Sequence, residues 1–295
     1  KVYGTVRRGA SPKTDRLRAM KILDKIIFIP LEVTEFSNVL QVLSDVQPDQ
    51  IYNLSAQSFV QDSFRHPIIT NQTNYVGVLN LLESIRILKL DAKFFQPSTS
   101  EMYGDQQTNR VNELSNFSPS NPYGLSKSAI DMFMQERIEN DYIKGFITRA
   151  FSHTGPRRGK NFSISSDAYQ LARIKKGYQK PILQIGNLKT TRVVIDVRDT
   201  VKAYYLGMIS EKTNGDIFNV CGDTPQKMEF FTDLLINISE LDVEKQISKD
   251  LYRPIDIEYQ HGDSSNLIEK TKWSTTYTIE KTLEDLFNYW MQKIK

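Results

Sequence analysis

The sequence predicts an α/β fold: a doubly wound parallel sheet, lacking its first strand and glycine-rich loop, joined to a smaller C-terminal α/β lobe. Strand-like runs alternate with amphipathic stretches through the first half of the chain, the pattern of parallel strands covered by helices on both faces. One run closes in Ser98-Thr99-Ser100-Glu101-Met102-Tyr103-Gly104, and Tyr123-Gly124-Leu125-Ser126-Lys127 then opens a helix. Polar groups therefore gather at the C-terminal end of a strand, where open α/β sheets bind ligands. After Phe151 the rhythm loosens, which marks the second lobe.

Residues 2–6 are the first strand-like run. A dinucleotide-binding sheet opens with a strand and a glycine-rich turn, whose backbone amides hold a pyrophosphate at a helix N-terminus. The chain instead starts at Lys1, without methionine, on what reads as the second strand. A strand, loop and helix of about 30 residues are expected ahead of it. Runs at 25–29, 50–54, 93–96 and 146–151 supply further strands, and stretches at 37–46, 76–90 and 126–140 carry apolar residues at helical spacing. A basic turn, His153-Thr154-Gly155-Pro156-Arg157-Arg158-Gly159, precedes a helix near 165–177 and short mixed elements. The expected division assigns 1–151 with 193–224 to a cofactor-binding domain, and 152–192 with 225–295 to a substrate-binding lobe.

The two polar motifs form a chemical set. Tyrosine and lysine four residues apart share a helical face, so a Lys127 cation next to Tyr123 is expected to lower a phenol pKa ordinarily near ~10. A phenol tuned in this way can act as a base. Thr99 and Glu101, two apart on a strand, would point together into the ligand crevice. The same tyrosine–lysine spacing recurs at Tyr277/Lys281 and Tyr289/Lys293. No strand ending in hydroxyl-x-carboxylate precedes those pairs, and they read as surface helix pairs.

Composition bounds the rest. The 295 residues, 39% hydrophobic and 25% charged, can bury a substantial core, and a net charge of +3 is too small to argue for nucleic acid. No apolar stretch approaches the ~20 residues of a membrane span, and no signal segment opens the chain. A single cysteine, Cys221, cannot make an internal disulfide, so a reducing cytoplasm is the expected setting and a small buried residue its expected role. His66, His153 and His261 are too scattered to suggest a metal site. The strand at residues 2–6 leads into Arg7-Arg8. An acidic residue at that strand end would favour NAD through its ribose and repel the extra phosphate of NADP, so two arginines favour NADP.

Across nearly its whole length the chain resembles the extended short-chain dehydrogenase/reductases of the sugar-nucleotide class, and within them the GDP-mannose 4,6-dehydratase family. The motifs that carry the resemblance are residues 47–58, Ser98 to Gly104, Ser120-Asn121-Pro122-Tyr123-Gly124 with Lys127, Gly155 to Phe162, Gly186-Asn187-Leu188 and Tyr252-Arg253-Pro254. It implies a Rossmann-type fold and an internal redox elimination. Tyr123, assisted by Lys127 and Thr99, would take the C4 hydroxyl proton while hydride passes to NADP. Glu101 would remove the C5 proton and help water leave from C6, after which the hydride returns to C6.

The resemblance also implies binding roles. Leu54, Ala56 and Gln57 would lie beneath the cofactor, with Arg7, Arg8, Tyr123 and Lys127 contributing. Arg192 and Arg253 would hold the diphosphate, Asp256 the nucleotide ribose, and Asn161 the substrate. Arg157 and Arg158 would reach NADP across a subunit interface, which implies a homodimer or homotetramer. Ser152, Ser166 and Val193 depart from the family pattern, where asparagine, lysine and aspartate are expected. The segment from Ile185 to Cys221 also resembles GDP-6-deoxy-4-keto-mannose reductases, which use NADPH. A nucleotide-binding scaffold without chemistry is the remaining alternative.

Overall fold

The computed structural model describes residues 1–7, 14–107 and 109–294. It opens with β1 (Tyr3–Val6), α1 (Asp15–Ala19) and β2 (Ile27–Pro30). β1 and β2 pair in parallel, with Tyr3 opposite Ile27. α2 (Phe36–Val46) buries the Val39, Val42 and Leu43 stripe and leads to β3 (Gln50–Tyr52). α3 (Val60–Arg65), α4 (Pro67–Asn71) and α5 (Gly77–Leu88) follow. The helix expected over 76–90 begins earlier, as a π turn at Gln72–Val76 that continues into α5. The wider turn coincides with a buried Asn74, whose amide the site uses.

β4 (Lys93–Thr99) and β5 (Gly145–Ala150) flank α6 (Pro122–Glu139). β5 opens on glycine for a steric reason: a Cβ at Gly145 would lie 2.1 Å from the Phe94 carbonyl oxygen. β6 (Ser152–Thr154), α7 (Ser163–Lys175), β7 (Ile182–Ile185), β8 (Thr191–Arg192), β9 (Val194–Asp196), α8 (Val197–Ile209) and β10 (Ile217–Val220) complete the path back to the sheet. The main sheet is parallel, in the order β10-β5-β4-β3. The β1–β2 pair forms a sheet of its own and makes no ladder with β3 among the described residues.

Each face of the main sheet carries a core. Val78, Leu82 and Ile85 of α5 and Ile130 and Met134 of α6 pack with Phe94 and Ile147. On the other face Phe95, Phe146 and Phe218 pack with Ala203 and Met208 of α8. The remaining elements are β11 (Gln226–Lys227), α9 (Met228–Ser239), β12 (Glu244–Ile247), β13 (Tyr259–Gln260), α10 (Ser265–Thr271) and α11 (Ile279–Lys293). α7, α9, α11 and β7 share a third core through Leu171, Leu183, Leu235 and Leu286. An α/β fold with two-faced parallel strands is the architecture the alternation predicts.

Tyr277 precedes α11, while Lys281 pairs with Glu284 and Asp285 on the surface. No helix among the described residues is long and apolar enough to cross a membrane. No group of three or more His, Cys, Asp or Glu among them could hold a metal ion. Cys221 is buried, and burial pushes its thiol up to about 12, so it behaves as the small core residue expected.

Candidate active site

β4 delivers Thr99 to the end of the sheet, and a short 3-10 turn, Ser100–Tyr103, follows. Thr99 Oγ1 caps that turn by accepting the Glu101 N–H at 3.3 Å. Gly104 closes it at φ +65, where an added Cβ would lie 2.0 Å from the Ser118 carbonyl oxygen, so the glycine is obligatory. The Glu101 carboxylate is held from two sides. Oε2 accepts from Asn121 Nδ2 at 2.8 Å and Oε1 from Arg253 Nη1 at 3.2 Å.

Asn121 is also the N-cap of α6. Its Oδ1 accepts the Gly124 N–H at 2.8 Å, and Pro122 occupies the first helical position. One amide thus fixes both the start of the tyrosine helix and the glutamate. The contact of Asn121 with Glu101 spans 20 residues of chain and leaves no mark in the sequence. Asn74 supplies a similar hidden brace: its Oδ1 accepts from the Gln57 N–H and its Nδ2 donates to the Gln57 carbonyl and to Ser126 Oγ. The loop after β3 is thereby tied to α6.

Tyr123 and Lys127 are both buried. Lys127 Nζ donates to the Pro97 carbonyl oxygen at 2.8 Å, against the end of β4, and burial pulls its pKa down to about 8. Burial pushes the Tyr123 phenol up to about 12, with Thr99 pulling it down, Glu101 pushing it up and Arg158 pulling it down by smaller amounts. The free site therefore holds a protonated phenol at neutral pH, the opposite of the lowering expected from the tyrosine–lysine spacing. Spacing reports who shares a helical face; it carries no information on desolvation, which dominates here.

These groups line a cavity of about 700 Å³ between the sheet end and the α7/α9 lobe, a size typical of small-molecule sites. Of the expected cofactor residues, Leu54, Ala56, Tyr123 and Lys127 line it. Gln57 instead braces its own loop, accepting from the Phe59 N–H and donating to Thr70 Oγ1. Arg158 lines the cavity with its guanidinium over the Phe162 ring at 3.5 Å, and burial lowers it to about 10. Arg157, at φ +73, is absent from that lining. Arg7 is largely exposed, 3.7 Å from Glu32. Arg8 lies outside the described residues.

The expected substrate residues do converge. Asn161, Arg192, Arg253 and Asp256 all line the cavity. Arg192, buried and pulled down by that burial, donates to the Ile257 carbonyl at 2.6 Å and to Asp256 Oδ1 at 3.3 Å. Asp256 Oδ2 accepts from Asn187 Nδ2 at 3.3 Å. Ser152 and Ser166 line the cavity, whereas Val193 is in a core cluster with Met102, Phe151 and Cys221. Ser98 Oγ and Thr154 Oγ1, also in the lining, are buried without a hydrogen-bond partner. Such orphaned hydroxyls suit a polar ligand.

The family model for GDP-mannose 4,6 dehydratase matches residues 1–286. GDP-mannose 4,6-dehydratase of Vibrio cholerae is 29% identical over 97% of this chain and 87% of its own length. GDP-6-deoxy-D-mannose reductase of Pseudomonas aeruginosa is 29% identical over 84% of this chain and 82% of its own. The structure of RMD from Pseudomonas aeruginosa complexed with NADPH superposes with a TM-score of 0.85 at 25% identity, covering 100% of both chains. UDP-glucose 4-epimerase from Thermotoga maritima shares the fold, with a TM-score of 0.87 at 21% identity, over 100% of this chain and 92% of that one.

Proposed function

From the premise that this chain belongs to the GDP-mannose 4,6-dehydratase family, we propose that it dehydrates a GDP-hexose, GDP-mannose or a close relative. The product is a GDP-4-keto-6-deoxy sugar and the cofactor is NADP, recycled within each turnover. The observation that carries this reading is the pinned Glu101 between Asn121 and Arg253, electrostatically coupled to Tyr123. A ketone reductase needs a proton donor beside the carbonyl. Of these two reactions, the elimination alone also needs a base at the neighbouring carbon.

NADP fits the wall at Leu54, Ala56, Tyr123 and Lys127, where the orphaned Ser98 hydroxyl awaits a partner. When bound, it would supply a hydride acceptor for C4 and donor for C6, and a positive ring that favours a phenolate at Tyr123. Tyr123, oriented through α6, takes the C4 hydroxyl proton, with Thr99 as its hydroxyl neighbour. The ketone so formed acidifies the C5 hydrogen. Glu101 takes that proton and passes it to the departing C6 hydroxyl, so a single water leaves. As the hydride reaches C6, C5 regains a proton, and the one taken from the C4 hydroxyl by Tyr123 closes the balance. Arg192 and Arg253 would grip the diphosphate as planar donor forks, and Asp256 and Asn161 would hold the rest of the nucleotide sugar.

Arg7, Arg8, Gln57 and Arg157 belong to the proposal as cofactor contacts, as does the division into 1–151 with 193–224 and 152–192 with 225–295. A homodimer or homotetramer is supported by exposed apolar side chains on adjoining helices, Ile68 and Ile69 of α4 and Leu125 and Met132 of α6. The second reading, an NADPH-dependent GDP-6-deoxy-4-keto-mannose reductase, is favoured by the Pseudomonas relative. Turnover of GDP-mannose with a catalytic trace of NADP tests the choice. A 4-keto-6-deoxy product in large excess over cofactor supports the dehydratase; a requirement for one NADPH per product, on the keto sugar only, supports the reductase.

A further inference from the structure

Asp167 is a buried carboxyl that the chemistry above leaves unused. It lies in α7, lines the cavity at its lobe end, and is 5% exposed. Oδ2 accepts from Thr232 Oγ1 of α9 at 2.7 Å. Among the described residues no other side-chain hydrogen bond to this carboxyl is made and no ion pair reaches it. Burial pushes it up to about 7, with only the Thr232 bond pulling the other way. An acid so placed is costly to ionise until donors arrive at its free oxygen.

The surroundings suit a flat heterocycle. Leu188 and Met228 give the lining apolar surface, and Gln184 has its backbone N–H and carbonyl occupied by Gln170. Asp167 is thus the one carboxyl among the cavity-lining residues outside the Glu101, Asp256 and arginine cluster. We infer that Asp167 reads the base of the nucleotide, accepting from the N1–H and the 2-amino group of guanine, with Thr232 setting the plane of the carboxylate. Guanine presents these two donors side by side on one edge. Uracil offers a single ring N–H between two carbonyls, which would face the carboxylate with repulsion.

This assignment rests on the reading of the cavity as a GDP-sugar site and names the residue that selects its base. The test is calorimetric titration of the full chain with GDP, IDP and UDP, in wild type and in Asp167→Asn. IDP lacks only the 2-amino group, and the amide keeps both side-chain volume and an acceptor for Thr232. Wild type should bind GDP about tenfold or more tighter than IDP, in line with one hydrogen bond to a charged group. Asp167→Asn should lose about tenfold to a hundredfold in GDP affinity and bring GDP and IDP together, with UDP unchanged. GDP preferred over UDP, but with wild type blind to the 2-amino group or Asp167→Asn unaltered, overturns the role of Asp167 and leaves the GDP-sugar reading standing. UDP bound as tightly as GDP by wild type overturns both.

Discussion

The two ends of the cavity are built differently. At the sheet end, Thr99, Glu101, Tyr123 and Lys127 come from one strand terminus and one helix N-terminus, locked by Asn121 and by the Lys127 contact to Pro97. At the lobe end, Arg192 of β8 meets Arg253 and Asp256 of a loop much further along the chain, and in the free protein the carboxylate pairs with both arginines. Arg253 even reaches across to Glu101. A reacting group must be held still before substrate arrives, whereas a binding group can exchange an internal partner for a ligand. Substitutions at the sheet end should therefore act on kcat, and those at the lobe end on KM.

The largest effect expected is from Tyr123→Phe. Removal of the phenol should lower kcat by about a thousandfold, the scale of general acid–base catalysis, and abolish the transient reduced cofactor seen by its absorbance. Glu101→Gln should lower product formation by about a hundredfold while leaving the first hydride transfer in place. Reduced cofactor should then appear on mixing and persist. Equal loss of that first step in both variants would break the division of labour between the two residues.

Next comes stability. Asp131 of α6 and Arg149 of β5 form a buried pair, 2.8 Å apart and almost free of solvent, that ties the tyrosine helix to the sheet. Asp131→Asn leaves a buried cation without its counter-charge and should cost about 3–5 kcal/mol in denaturant unfolding. At the lobe end, Arg253→Ala should raise KM by about tenfold to a hundredfold, the loss of charged hydrogen bonds, with a smaller change in kcat. A fall in kcat as large as the rise in KM would show that the contact with Glu101 serves the chemistry too.

A further effect is a pH dependence of stability. Burial holds Lys127 at about 8, against ~10.4 in an unfolded chain. Between those values the folded state binds fewer protons, so this contribution is fully present above the unfolded value and lost as pH falls through about 8. Measured against Lys127→Met, wild type should gain stability between about pH 8 and about pH 10. A difference that stays flat would mean that the Pro97 contact keeps the ammonium charged.

The same contrast explains what the sequence made legible. The sheet end is written in short spacings: two residues from Thr99, which ends β4, to Glu101, which sits in the 3-10 turn that follows and not on the shared strand expected, and four from Tyr123 to Lys127 along one helix. Local geometry alone brings such groups together. Arg192, Arg253 and Asp256 meet through β8, β13 and the loop between Tyr252 and Ile257, and only the resemblance to a family pointed to them. Asn74, Asn121 and Asp167 were missed as site residues, because an amide or carboxyl in a helical pattern gives no sign of what it will face across 17, 20 or 65 residues of chain. The Tyr123 shift was misjudged for a related reason. Its direction follows from how much water the fold removes, and no local pattern encodes that.

The central claim, that Tyr123 and Glu101 act in sequence on one sugar with a recycled cofactor, is tested most directly by following a label. GDP-mannose carrying deuterium at C4 should yield a 4-keto-6-deoxy product with that deuterium in its C6 methyl group, and NADP should be recovered unlabelled and oxidised. Deuterium left on released cofactor, or no conversion until NADPH and a keto sugar are supplied, would contradict it.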